Sequence, residues 1–301
     1  MAQGTCLLCG AVAALQDSHV LPAFVFRALK EHSATGHIRS SESPNRRVQD
    51  GVTQPWLCVE CEASFSRWER DFSNNILRPW RDGVVETAYD DWLLKFCVSV
   101  SWRVLKYCKG RNEAAAYTDA QEKLFDNAER VWREFLLGTR AHPGEFCQQF
   151  LISDLIDTTT VRDLPDNINR FLMGAVSMDI VGSEHSAFTW AKMGRFQIFG
   201  VVQPGRNKFE GTKVHLKRGV LRPGRFVVPA GLLDLYEEKS THISESMSGM
   251  SDVQFAKVES AFGSNLERAR DSGQLAAMRA DAALFGERVL LRRKRRSGST
   301  E

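Results

Sequence analysis

An α+β fold built from successive modules is what this sequence predicts, on three observations. Two Cys-x-x-Cys pairs, Cys6/Cys9 and Cys58/Cys61, enclose a polar stretch in the first third of the chain. Apolar residues recur at helical spacing between Thr87 and Pro165. From Arg170 onward, short runs rich in β-branched and aromatic residues alternate with Gly and Pro turns. The expected organisation is a cysteine-stapled module over 1–86, a helical region over 87–165, an antiparallel β-rich domain with helices over 166–286, and a basic tail over 287–301.

In the first module the segment from Glu31 to Gln54 is polar and reads as a long surface loop or hairpin excursion between the two cysteine pairs. Cys58-Val-Glu-Cys61 runs into EASFSRWERDF, a helix start. In the second region Tyr89–Tyr107 is an apolar helix. Thr118–Leu137 carries Leu124, Ala128, Val131 and Phe135 on one face and stops at Gly138, so the two helices should pack together. In the third, FLMGAVSMDIV, SAFTWAKM, RFQIFGVVQ, TKVHLKR and RFVVP read as strands, punctuated by Pro204-Gly205, Gly219 and Pro223-Gly224. Helices are expected over Leu232–Glu238, Val253–Phe262 and Leu275–Phe285, with THISESMSGMS as a polar break.

At 301 residues the chain can bury its cores without disulfides, and apolar and charged fractions of 43% and 26% exclude disordered and fibrous classes. MAQGTCLLCG lacks the charged and long apolar regions of a secretory signal. The most apolar stretch, Trp92–Tyr107, is interrupted by Lys95, Arg103 and Lys106 and is shorter than the roughly 20 residues of a membrane span. A cytoplasmic protein without a membrane segment is expected. There, seven cysteines point to metal binding or burial. Cys97, Cys108 and Cys147 lie in apolar segments and read as small hydrophobes.

The other four read as a zinc site. Each Cys-x-x-Cys turn converges two thiolates on one point, and two such turns complete a tetrahedron. The 48 residues between the pairs allow one knuckle on a hairpin, eased by Gly10, and one at the head of a helix, which is treble-clef geometry. A redox pair would need a thioredoxin-like strand and helix, which neither pair has.

Between the pairs stands Asp17-Ser18-His19-Val20-Leu21-Pro22. With the cysteine pairs it resembles the zinc-stapled HNH (ββα-metal) endonucleases over residues 6–72. The resemblance implies that His19 is the general base of phosphodiester hydrolysis and that a second, divalent ion, Mg2+ or Mn2+, is held nearby. Ser18 stands where the family carries an acid or histidine ligand, and a hydroxyl is a weak anchor for a hard ion. Asp17 would face the other side of the strand. Glu62 follows the last cysteine, where a second ligand belongs, and Glu69 lies two turns further along the same face. Each of these acids reads equally well as a solvated surface or turn residue.

Positive charge gathers in two places. Arg206–Arg225 holds Arg206, Lys208, Lys213, Lys217, Arg218, Arg222 and Arg225 against Glu210 alone, interleaved with apolar residues. That face suits a phosphate backbone, and equally an edge strand protected by charge. The tail carries RRKRR. Three functional readings follow: an HNH-like, metal-dependent endonuclease acting on nucleic acid, DNA before RNA, of a kind suited to defence against foreign DNA; an inactive treble-clef zinc protein that binds nucleic acid or serves as an adaptor; or a small zinc ribbon fused to a ligand-sensing β domain. In each, the C-terminal domain is available to a protein partner.

Overall fold

The computed structural model describes residues 3–111, 117–205, 209–229 and 231–290. In chain order it begins with β1 (Gln3–Thr5), β2 (Val12–Ala14), β3 (Gln16–His19), α1 (Ala23–His32), β4 (Ile38–Arg39), β5 (Arg47–Val48), β6 (Thr53–Leu57) and α2 (Val59–Phe72). A π-helical turn (Ser73–Leu77) leads to α3 (Arg78–Arg81), β7 (Thr87–Asp90), α4 (Trp92–Gly110) and α5 (Asp119–Leu137). There follow β8 (Gln148–Ile152), α6 (Ile168–Gly174), β9 (Val176–Ser183), β10 (Ser186–Met193), β11 (Phe196–Gln203) and β12 (Arg218–Leu221). Four helices, α7 (Gly231–Ser248), α8 (Asp252–Gly263), α9 (Leu266–Asp271) and α10 (Gly273–Phe285), precede a short 3-10 turn (Glu287–Leu290). The fold is α+β.

Two compact units result, each assembled from separated stretches. The first takes Met1–Phe26, Asp50–Ile152 and Val176–Ala230; the second takes Arg27–Gln49, Ser153–Ala175 and Gly231–Glu301. The sequence-derived boundary at 86/87 therefore falls inside the first unit, and those at 165/166 and 286/287 inside the second.

The first unit is organised by α4. Of its residues, Phe96, Val98, Val100, Trp102, Val104 and Leu105 are wholly buried, each burial contributing about 1.5–3 kcal/mol relative to exposure. The helix packs on α2, on α5 and on an antiparallel sheet of order β8-β11-β10-β9. Phe72 of α2 stacks on Phe96 at 4.3 Å between ring centres and meets Phe150 and Phe196 of the sheet edge-on. The approach of helix to sheet is close enough to require Gly200, where a Cβ would lie 2.6 Å from both Ser101 Oγ and Thr189 Oγ1. At α5 the sequence signals operate as read: Thr118 and Gln121 form a reciprocal capping box and Gly138 closes the helix at φ 77°.

Several segments differ from their sequence reading. FLMGAVSMDIV divides into α6 and β9 at Ala175. TKVHLKR up to Lys217 and RFVVP contribute only isolated bridges, Gln149 to Lys213 and Glu210 to Val227. The edge place beside β11 is instead filled by Gln148–Ile152, and Arg218–Leu221 pairs with Thr87–Asp90 in a separate ribbon. The polar stretch from Thr241 continues α7 to Ser248 rather than breaking it. Ser246 Oγ finds an acceptor outside the helix, Ser41 O, and Ser248 Oγ bonds back to Ser244 O at 2.9 Å, the i−4 pattern a helix tolerates. The loop between the cysteine pairs carries the β4–β5 hairpin, which belongs to the second unit. Among the described residues no helix is long and apolar enough to cross a membrane.

Candidate zinc centre and the histidine beside it

The first knuckle sits on the β1–β2 hairpin. Thr5 pairs with Val12, Cys6 N donates to Ala11 O at 2.8 Å, and Gly10 N returns to Cys6 O at 2.8 Å with Gly10 at φ 81°. The second knuckle opens α2, with Cys58 in extended conformation at the N-cap and Glu62 N donating to Cys58 O at 3.0 Å. Leu7 N to Trp56 O at 2.9 Å ties one knuckle to the strand that leads into the other.

The four sulfurs lie within 4.8 Å of one another, and Cys9 Sγ and Cys58 Sγ are 3.8 Å apart. A zinc–sulfur distance of about 2.3 Å gives a tetrahedral edge of about 3.8 Å, so the four-cysteine cluster fits a structural ion of that size and softness. Burial pushes the Cys61 and Cys58 thiols up. At Cys6 burial acts in the same sense but is outweighed by the backbone N–H groups of Cys9, Cys58 and Leu8, which bring that thiol down to about 7. Those N–H groups favour the thiolate, the form a metal takes.

β3 and β6 form the ribbon that carries the Asp-Ser-His element, with Ser18 opposite Gln54 and His19 opposite Thr53. Strand alternation turns Asp17 outward, exposed, and Ser18 inward, fully buried. Ser18 Oγ donates to Glu62 Oε2 at 2.5 Å. Glu69 accepts from Arg103 Nη1 at 2.8 Å, and the same nitrogen donates to His19 O at 2.8 Å. Arg103 is 1% exposed and lies over the Phe65 ring at 5.1 Å. Glu69 thus counters a buried guanidinium instead of facing the Ser18–Glu62 pair.

His19 is held from the other side as well. Its Nε2 lies 3.0 Å from Asp50 Oδ2, and Asp50 Oδ1 accepts from Gly51 N at 2.8 Å. With Nε2 taken, Nδ1 is the nitrogen left to accept a proton; it meets no hydrogen-bond partner among the described residues. A carboxylate fixing one imidazole nitrogen selects the tautomer in which the other is basic.

Among the described residues, the four cysteines are the one group of three or more His, Cys, Asp or Glu side chains that converges on a point. The residues expected to hold Mg2+ or Mn2+ form no such group. Asp17 faces away, Ser18 and Glu62 are bonded to each other, and Glu69 is paired with Arg103. No step is derived through such an ion.

Lys213, Lys217, Arg218, Arg222 and Arg225 are all exposed and make no ion pair among the described residues. Arg206 and Lys208 lie outside the described residues, as does the RRKRR tail. Sequence reasoning missed Asp50 and Arg103. Asp50-Gly51 carried a turn signal, and a lone arginine within the apolar Trp92–Tyr107 run signalled a buried charge in need of a partner.

No family model, curated protein or solved structure matches this chain.

Proposed function

We propose that the protein is a zinc-stapled, treble-clef nucleic-acid-binding protein, similar in arrangement to the HNH endonucleases but without their hydrolytic ion. The observation that carries this reading is the exposed cationic stretch Lys213–Arg225 in the unit that also contains the cysteine cluster. Five cations without ion-pair partners among the described residues are an electrostatic footprint for a phosphate backbone. The Ser18–Glu62 and Arg103–Glu69 bonds support the inactive form, because they spend on internal packing the oxygens that a catalytic ion would need.

A second reading, phosphodiester hydrolysis, is favoured by the His19–Asp50 contact. In it His19 Nδ1 takes the proton of the attacking water while Asp50 holds the ring. One experiment separates the two: purified protein with double- and single-stranded DNA and RNA, manganese present, followed for both mobility shift and cleavage, beside His19→Ala. Binding without cleavage, unchanged in His19→Ala, is the expected result. Cleavage lost in His19→Ala establishes the second reading, and neither binding nor cleavage removes both.

A further inference from the structure

The second unit carries a group of like charges that its fold does nothing to neutralise. On the β4–β5 hairpin, Arg39 and Arg47 are direct cross-strand partners, an arrangement that is destabilising in the absence of a counter-ion. His37 precedes the hairpin. Arg268, from α9, lies against the turn at Gly36, where a Cβ would be 3.3 Å from its Cζ.

None of the three arginines finds a carboxylate among the described residues. Arg39 donates to Pro44 O at 2.8 Å and to Gln254 Oε1 at 3.2 Å. Arg268 donates to Ser33 O at 3.3 Å and to Lys30 O at 2.6 Å. Neutral acceptors thus hold two guanidinium groups in place without cancelling their charge. Arg47 is exposed and makes no side-chain hydrogen bond among the described residues. The electrostatics agree in sign: burial, then the charges of Arg47, Arg39 and Arg268, hold His37 below the ordinary imidazole range, and burial and Arg47 act likewise on Arg39. No acid offsets either group.

We propose that His37, Arg39, Arg47 and Arg268 form a phosphate-binding site on the second unit, which takes the backbone of a nucleic acid. The ligand must be an oxyanion, since it has to satisfy guanidinium donors and a ring N–H together. The partly to fully exposed setting of the four residues suits a chain of phosphates running over the surface more than one enclosed anion. The phosphate chemistry stands by itself; its assignment to nucleic acid rests on the functional reading above.

The test uses the full-length protein. Resonances of the His37 ring are followed by NMR during titration with inorganic phosphate and, separately, with 20-nucleotide single- and double-stranded DNA. Binding of the same DNA is measured by fluorescence anisotropy from low to moderate salt for wild type, Arg47→Gln and Arg218→Gln. Arg47 holds nothing in place, so Arg47→Gln should fold; unchanged far-UV dichroism controls for this. The expected result is a His37 shift with DNA and a several-fold loss of affinity in Arg47→Gln. The slope of log K against log salt should fall by about 0.7–0.9, one phosphate contact. The loss in Arg218→Gln should add independently.

A His37 shift with phosphate in a protein that binds no DNA upholds the anion site and overturns only the nucleic-acid assignment. DNA binding that leaves His37 and the Arg47→Gln slope unmoved overturns the site while sparing the functional reading. No His37 shift with either ligand, and no DNA binding, overturns both.

Discussion

Removing a metal held by the four-cysteine cluster is the perturbation whose outcome the structure constrains most tightly. The Cys9 and Cys58 sulfurs stand at the edge length of a tetrahedral zinc–thiolate cluster, 3.8 Å, all four lie within 4.8 Å of one another, and Cys6, Cys58 and Cys61 are 1%, 3% and 8% exposed. Structural zinc contributes about 10–16 kcal/mol of apparent binding free energy near neutral pH, comparable to the whole stability of a typical domain at about 5–15 kcal/mol. What the ion holds is weak without it. The β1–β2 and β3–β6 ribbons have two strands each, and such ribbons are marginal by themselves. The α4 core draws also on the four-stranded sheet and on α5, which lie far along the chain from the cysteines.

Stripping the ion should therefore melt the region locally. The purified protein should carry one zinc per chain by elemental analysis. After chelation under reducing conditions, hydrogen exchange should accelerate in residues 3–20 and 53–62, and α4, β10 and β11 should stay protected. Mutating Cys58→Ala should reproduce the pattern. A metal-free preparation with full protection over 3–20 would refute the assignment, and loss of protection throughout the chain would refute the local account of its energetics.

Two further outcomes are expected. Glu69→Gln leaves the buried Arg103 charge without its counter-ion. Breaking such a pair costs about 3–5 kcal/mol when both partners are buried, but Glu69 is 20% exposed, so a loss of about 2–3 kcal/mol in chemical denaturation is expected; a change below 0.5 kcal/mol would show that the pair carries little. Lys192 is wholly buried in β10, and burial lowers its pKa to about 7. Between about 7 and the ordinary lysine value the unfolded chain binds more protons, so stability should rise with pH across that window and be flat below it. Lys192→Met should be more stable than wild type at pH 7 and lose that slope; an unchanged slope would mean that another group causes it.

The sequence was most legible where a residue acts through its immediate neighbours. The knuckles, the Thr118 capping box, the Gly138 stop and the alternation that buries Ser18 and exposes Asp17 depend on spacings of a few residues, and spacing is what a sequence records. The four-cysteine cluster was legible for a related reason: each Cys-x-x-Cys fixes half of the site locally, leaving only two halves to be brought together.

What escaped depends on partners far apart in the chain. Gln148–Ile152 took the sheet edge because pairing is decided by which strand can reach β11. Asp50 reaches His19 across 31 residues, and Arg103 reaches Glu69 and His19 O from the middle of an apolar helix. Those two contacts decide whether Glu69 faces a metal or a guanidinium, and which imidazole nitrogen is basic. By itself, then, the sequence determined the cysteine staple, the α+β class and the position of the histidine, because short-range spacing and periodicity encode them. Only the tertiary structure decided what the surrounding carboxylates do, because a carboxylate's role is set by the charge or hydrogen-bond donor that folding brings to it.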